Sequence, residues 1–328
     1  MLFRSLSMIV SAVSALLLIP ALIKAYPPRF LSEDGSRTDQ MAHPMPTPIA
    51  MKPAPDAATR SLFLATAVFI GLACVAGAPR SALAQDNKAA ELMEKNYQAS
   101  RVDSSISEAS FKLVNAAGQE RIRKILSVTK LQLEGQSNRR VIRFLSPSDV
   151  RNTTTLLLES AGKEDEIWVY LPALKKARRL SSNNKKNSFV GTDLSYGDIV
   201  GHKAQDWTHK ITKLDQLAGT DVSVVESIPK NLDVANDAGY SKRITWVARD
   251  TFLGLKVEFY DLSGALLKTV DNANFKLVDA KLKKFQPMLV NVKNHQTGHA
   301  TILSLERFEA NIPIAENYFT AGYLEKEE

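Results

Sequence analysis

The sequence predicts a mainly β protein, built as one strongly curved antiparallel sheet with a few covering helices. Three observations point there. About a dozen consecutive segments alternate apolar with polar residues or form short apolar runs. The turns between them are too short for the crossovers of a dozen or more residues that parallel strands need. Only one stretch carries apolar residues at helical spacing over its length. A meander this long must curl or close, with helices covering what the curl leaves open.

Composition sets the limits. The chain has 328 residues, 45% apolar and 23% charged, which is ordinary globular material and excludes both disorder and a many-helix membrane protein. Its single cysteine, Cys74, excludes a disulfide framework and a thiolate metal cluster.

The first 85 residues contain two apolar runs that do not belong to a folded core. "MIVSAVSALLLIPALI" follows Arg4, and "LFLATAVFIGLACVAGA" follows Lys52 and Arg60 and precedes "PRSALA". The second has the basic, apolar and small-x-small parts of a secretory signal, with cleavage expected between Ala84 and Gln85. Residues 1–50 read as a non-native extension or an extra apolar segment, with Met51 as the start, 51–84 as the signal peptide, and 85–328 as one domain. A membrane hairpin made of the two runs is the alternative, although both are shorter than the ~20 apolar residues a spanning helix prefers. Cys74 follows Gly71, Leu72 and Ala73, which lack the branched apolar residue of a lipidation box, so it is expected to leave with the signal. Removing residues 1–84 takes away seven basic and four acidic residues and leaves a net charge of +4 in place of +7. That mild excess suits an anionic lipid or another acidic surface. No basic stripe with interleaved aromatics is present, so no nucleic acid is expected.

From Gln85 onward the first element, "NKAAELMEKNYQAS", places Ala89, Leu92, Met93 and Tyr97 at the three- and four-residue spacing of an amphipathic helix. Strands follow: "ASFKLVN", "RKILSVTKLQLEG", "RRVIRFLS", "TTTLLLES", "EIWVYLP", "HKITKLD", "DVSVVESIP", "SKRITWVAR", "LKVEFYD", "LLKTVDNANFKLV", "PMLVNVKN" and "ATILSLERFE". Turn material such as "NAAGQ", "LAGT", "DLSGA" and "NHQTGH" separates them. Leu255, Val257 and Phe259 alternate with Lys256, Glu258 and Tyr260, and Ile244, Trp246 and Ala248 with Arg243, Thr245 and Val247. One face of each strand is thus expected to be apolar and turned inward. Such a sheet encloses either a filled core or an apolar cavity.

The search for catalytic groups finds little. His295 and His299 have i, i+4 spacing, but "NHQTGH" joins two strand-like runs and reads as a hairpin turn. Asp193 and Asp198, or Ser188 and Ser195, lack a nucleophile elbow or a companion base. Helix capping is the simpler role for Asp193 or Ser195, ahead of "LSYGDIV". The expectation is a non-enzyme without cofactor or metal.

One resemblance extends this reading. "RFLSPSDVRNTTTLLLES" and "EIWVYLPALKKARRLSSNNKKNSFVGTDLSYGDI" resemble the signature of the bacterial outer membrane lipoprotein-sorting protein family, the LolA-like group found beside transporters of the resistance-nodulation-division superfamily. The match is specific from Arg143 to Ile199 and weaker over the rest of the chain after Gln85. Asn152 departs from it, standing where the family pattern carries glycine, and asparagine tolerates the left-handed backbone that such a turn needs. The resemblance implies an unclosed β-barrel with helices over its open side, holding acyl chains of a lipoprotein or lipid in the periplasm, with a possible association with the outer membrane. It also implies a transporter of that superfamily as partner and a monomeric protein.

Within that frame "SFVGTDLSYGDIVG" reads as a lid. Phe189, Leu194, Tyr196 and Ile199 would face the cavity, together with Trp168, Tyr170, Trp246 and Phe259. Gly191, Gly197 and Gly201 would be its joints. Lys175, Lys176, Arg178 and Arg179 would meet head groups or an acidic partner. A docking or sensing module that carries nothing, serving a transporter or an anti-sigma factor, is the second reading.

Overall fold

The computed structural model describes residues 80–132, 137–160, 163–181 and 184–326. All described residues lie in one compact unit, within Phe69–Glu328. The expectations for residues 1–79, including both apolar runs and Cys74, lie outside the described residues. The expected cleavage point between Ala84 and Gln85 falls inside the first helix, α1 (Arg80–Gln98).

Thirteen strands form one antiparallel sheet: β1 (Ser104–Val114), β2 (Glu120–Leu131), β3 (Asn138–Ser146), β4 (Thr154–Leu158), β5 (Glu166–Leu171), β6 (Lys176–Leu180), β7 (Trp207–Leu217), β8 (Thr220–Pro229), β9 (Lys242–Ala248), β10 (Gly254–Tyr260), β11 (Leu266–Asp279), β12 (Lys284–Asn294) and β13 (Ala300–Ala310). The spatial order is β6-β5-β4-β3-β2-β1-β13-β12-β11-β10-β9-β8-β7. It therefore consists of two meanders sewn together by their first and last strands, with Phe111 of β1 opposite Leu303 of β13. Consecutive β6 and β7 do not pair and become the two free edges, so the sheet is a barrel left open along one seam. The chain between them, residues 181–206, has to cross that seam.

Local chemistry places the turns. Asn152 adopts φ +65°, the left-handed conformation that its position in place of glycine demands, and the Ser146–Pro147 bond before it is cis. Asn152 N–H donates to Phe144 O at 2.8 Å and closes the β3–β4 connection. His295 and His299 lie in the β12–β13 hairpin, where Asn294 N–H donates to His299 O.

Pleat parity decides what each face holds. The inner face, covered by α1 and the seam-crossing segment, carries Phe111, Ile125, Ile142, Phe144, Leu157, Val169, Phe259 and Val270 as one apolar cluster. α1 adds Met93 against Val225 and Val247. The outer face of β2–β5 carries a second row in register, Val128 opposite Val141, Val141 opposite Leu156, and Leu156 opposite Trp168. The C-terminal segment covers this row with Ile314, Phe319 and Leu324, the last in α4 (Ala321–Leu324). Lys130 Nζ donates to Glu316 at 2.6 Å and ties that segment down.

Candidate functional site

The seam-crossing segment is built by short-range hydrogen bonds. Phe189 N–H donates to Leu194 O at 2.7 Å and Thr192 N–H to Phe189 O at 3.0 Å, which folds residues 189–194 into a tight loop. Gly191 has φ +74°, and a Cβ there would meet Arg123 Nη1 at 3.1 Å. The helix that follows, α2 (Tyr196–Val200), starts with a reciprocal cap. Asp198 N–H donates to Ser195 Oγ at 3.0 Å and Ser195 N–H to Asp198 Oδ2 at 2.7 Å. Gly201 ends it at φ +107°. Gly197, read from sequence as a joint, has no left-handed φ; it lies in the first turn of the helix, and its N–H donates to Lys185 O, outside the helix, at 2.8 Å.

The underside of this segment is apolar and buried. Phe189 lies 6.2 Å from Phe111 and 5.8 Å from Phe144 between ring centroids, and Tyr196 meets it edge-on at 5.3 Å. Leu194 and Ile199 join the same cluster. Beside it, Tyr240, which follows α3 (Leu232–Ala238), meets Phe259 at 4.7 Å between ring centroids with the rings tilted by 51°.

Polar bonds from both meanders then hold it down. Arg123 on β2 donates to Val190 O, and Arg140 on β3 donates to Ile199 O at 2.9 Å. Lys268 on β11 donates to Asp193 O at 2.8 Å and to Asp198 Oδ2 at 2.5 Å. Thr301 on β13 donates to Asp193 Oδ2 at 2.8 Å and accepts from Asp193 N–H at 2.9 Å. Tyr240 OH reaches the Asp198 carboxylate at 3.0 Å, and His202 Nε2 does so at 3.0 Å. Burial by itself would raise the Asp198 carboxyl, but the Lys268 ammonium and the His202 hydrogen bond outweigh it and hold the group well below the usual carboxylate range. Burial likewise opposes the charge on Lys268, and Asp198 more than restores it. Arg140 is pushed down to about 10, first by burial and then by Arg101. The flanks are anchored too: Asp165 in the β4–β5 loop accepts from Lys185 at 3.2 Å and from Lys203 at 2.7 Å, one on each side of residues 189–201.

Five of the eight residues read from sequence as cavity-lining, Phe189, Leu194, Tyr196, Ile199 and Phe259, are brought together on the inner face. The other three are corrected by parity. Trp168 and Tyr170 lie on the outer face under the C-terminal segment. Trp246 pairs with Val224 and Lys256, and the Lys256 ammonium lies 4.6 Å from its ring centroid. Its neighbours Arg243 and Thr245 pair with Phe259 and Val257 and therefore turn inward, the reverse of the face read from hydrophobicity. Lys175, Lys176, Arg178 and Arg179 are exposed at and beside edge strand β6, and Arg179 lies 3.7 Å from Glu166.

Sequence reasoning missed the inner cations Arg123, Arg140, Arg243 and Lys268. A signal was present for three of them, which share parity with an apolar residue two positions on: Arg123 with Ile125, Arg140 with Ile142, and Lys268 with Val270. Among the described residues no group of three or more metal-ligating side chains assembles. Two cavities of about 160 Å³ and 200 Å³, both lined by Ser100, lie along the inner face. A larger open cleft of about 620 Å³ flanks the seam-crossing segment between Gly191 and His299.

Comparisons with known proteins agree with this architecture. A family model described as "-like: Uncharacterized protein" matches residues 136–326. A provisionally named outer membrane lipoprotein-sorting protein domain from Vibrio parahaemolyticus is 30% identical, with TM-score 0.68 over 74% of this chain and 100% of that one. A DUF1329 family protein from Desulfovibrio piger is 24% identical, with TM-score 0.68 over 73% of this chain and 99% of that one. A LolA superfamily protein from Nitrosomonas europaea is 20% identical, with TM-score 0.56 over 72% and 98%. No curated protein matches the chain.

Proposed function

The chain belongs to the outer membrane lipoprotein-sorting protein family, and on that premise we propose that it is a periplasmic carrier that takes acyl chains of a lipoprotein or lipid beneath the 189–201 lid, without catalysis. The observation that carries this reading is the lid itself. An apolar segment crosses the open seam of the sheet and is held by a few polar bonds at discrete points rather than by strand pairing. Releasing those bonds would expose Phe111, Phe144 and Phe259 along one trough. Each CH₂ sheltered there contributes ~0.8 kcal/mol against water, which offsets what the chain gives up on leaving a membrane. Cavities of about 160 Å³ and 200 Å³ fall below the ~300 Å³ at which small-ligand pockets begin. On this reading loading requires the lid to move.

The exposed Lys175, Lys176, Arg178 and Arg179 beside the seam would meet anionic head groups or an acidic face of a transporter. The same filled inner face favours a second reading, a docking module that carries nothing. Native mass spectrometry of the protein from a periplasmic extract, with organic extraction of bound material, separates the two. Near-stoichiometric lipid or acylated peptide is the expected result. A clean apo mass that stays unchanged after incubation with lipid vesicles would replace the carrier with the docking module.

A further inference from the structure

Arg243 is a buried cation with nothing to bond. It lies on β9 with inward parity, is 8% exposed, and makes no hydrogen bond among the described residues; its Nε is fully enclosed without an acceptor. The guanidinium carbon lies 4.2 Å from the Trp207 ring centroid, which covers one face of the group and supplies no acceptor. The nearby Asp198 carboxylate is already bonded to Lys268, Tyr240, His202 and Ser195. A buried charged donor without a partner is costly, and each such group in a native fold calls for an explanation. Burial pushes the Arg243 guanidinium down to about 10, with Asp198 and Tyr240 acting the other way, so it stays charged at neutral pH.

Arg243 also lines the cavity of about 200 Å³, whose other walls include Met93, Leu253, Val257 and Phe275. Asn96 and Asn272 line the same cavity, and their Nδ2 groups already donate to Phe252 O and Gly254 O, both at 2.8 Å. Past Ser100 lies the second cavity, of about 160 Å³, walled by Phe111, Ile125, Leu303 and Leu305 together with Arg101, which is paired with Glu159, and Arg140, which donates to Ile199 O. An uncommitted charge at one end and an apolar row continuing beyond it match one kind of molecule.

We propose that Arg243 seats the anionic group, carboxylate or phosphate, of a single-chain amphiphile whose tail runs past Ser100 along the inner face. The guanidinium offers paired N–H donors matched to either oxyanion, and Trp207 fixes the plane in which they point. This inference rests on the carrier reading and narrows it from acyl chains in general to an anionic amphiphile.

The test is calorimetric titration of the delipidated full chain, below micelle-forming concentrations, with palmitate, palmitoyl lysophosphatidylglycerol and uncharged monopalmitoylglycerol. The anionic probes are expected to bind at least about tenfold tighter than the neutral one, and the tighter of the two names the oxyanion. Arg243→Met is expected to bring all three within about threefold, and Arg243→Lys to keep part of the preference. A wild type that binds monopalmitoylglycerol as tightly as the anions overturns this inference and leaves the carrier standing. No binding of any amphiphile overturns both. A preference that survives Arg243→Met places the anion elsewhere and overturns the assignment of Arg243. Should the Met variant fail to fold, the wild-type head-group comparison and the Lys variant decide the matter.

Discussion

Replacing Lys268 with methionine removes the one ammonium that neutralises Asp198, and the structure sets the size of the effect. Both side chains are buried, at 3% and 6% exposure, and the amine also bonds Asp193 O, so a single change cuts the lid from β11 at two points. Removing one partner of a buried ion pair costs about 3–5 kcal/mol. The lower end applies, because Ser195 N–H, Tyr240 OH and His202 still donate to the abandoned carboxylate. The cost falls on the lid, whose elements make no strand ladder, rather than on the thirteen-stranded sheet. About 3 kcal/mol corresponds to roughly a hundredfold larger open population. Hydrogen exchange reads it directly: the amides of Asp198, Ile199 and Gly201, bonded within the lid, should exchange about a hundredfold faster in Lys268→Met, while strand amides such as Thr245 keep their protection. Adding Asp198→Asn removes the stranded charge, and the double variant should recover about 1–3 kcal/mol of the loss as coupling energy. Lid exchange within threefold of wild type in Lys268→Met would show that the pair does not hold the lid, and the latch argument would fail.

Other outcomes follow from the same geometry. Leu194→Asp puts an unpaired carboxylate at an 8% exposed site in the seam-crossing segment; on the carrier reading, lipid retained on purification should fall to background while the far-ultraviolet spectrum of the sheet is unchanged. Tyr170→Ala empties space beneath the C-terminal segment and should cost about 3 kcal/mol in urea unfolding, yet leave amphiphile binding within twofold, because the ring lies on the outer face. Burial holds His202 and His209 below their ordinary value, and His209 is bonded as a neutral ring between Ala204 O and Ser227 Oγ. The unfolded chain therefore takes up protons first as pH falls below about 6.5, and stability present above that pH drains away. The urea midpoint at pH 5.5 should lie below that at pH 7.5, and His209→Gln should flatten the difference.

Much of the architecture is legible locally. Strand periodicity, short turns and the helical spacing of Ala89, Leu92, Met93 and Tyr97 need only near neighbours, and so does the cap in which Ser195 meets Asp198 three residues on. The specific run from Arg143 to Ile199 also pointed to the family that the 30% identical relative shows. The site is less legible, because a strand's pattern does not say which of two mixed faces turns inward. At β9 the apolar row Ile244, Trp246 and Ala248 looked like the core side, yet pairing with β10 turned Arg243, Thr245 and Val247 inward.

What the sequence by itself determined, then, is the first helix, twelve of the thirteen strands, their antiparallel connection and the local cap of the seam-crossing segment, because each depends on residues within one turn or hairpin. The tertiary structure alone decided that β1 pairs with β13, that β6 and β7 are left as the edges of a seam, and that four cations lie on the inner face. Those facts depend on partners up to two hundred residues apart, where the choice of pairing rests on how the whole sheet closes and no local preference records it.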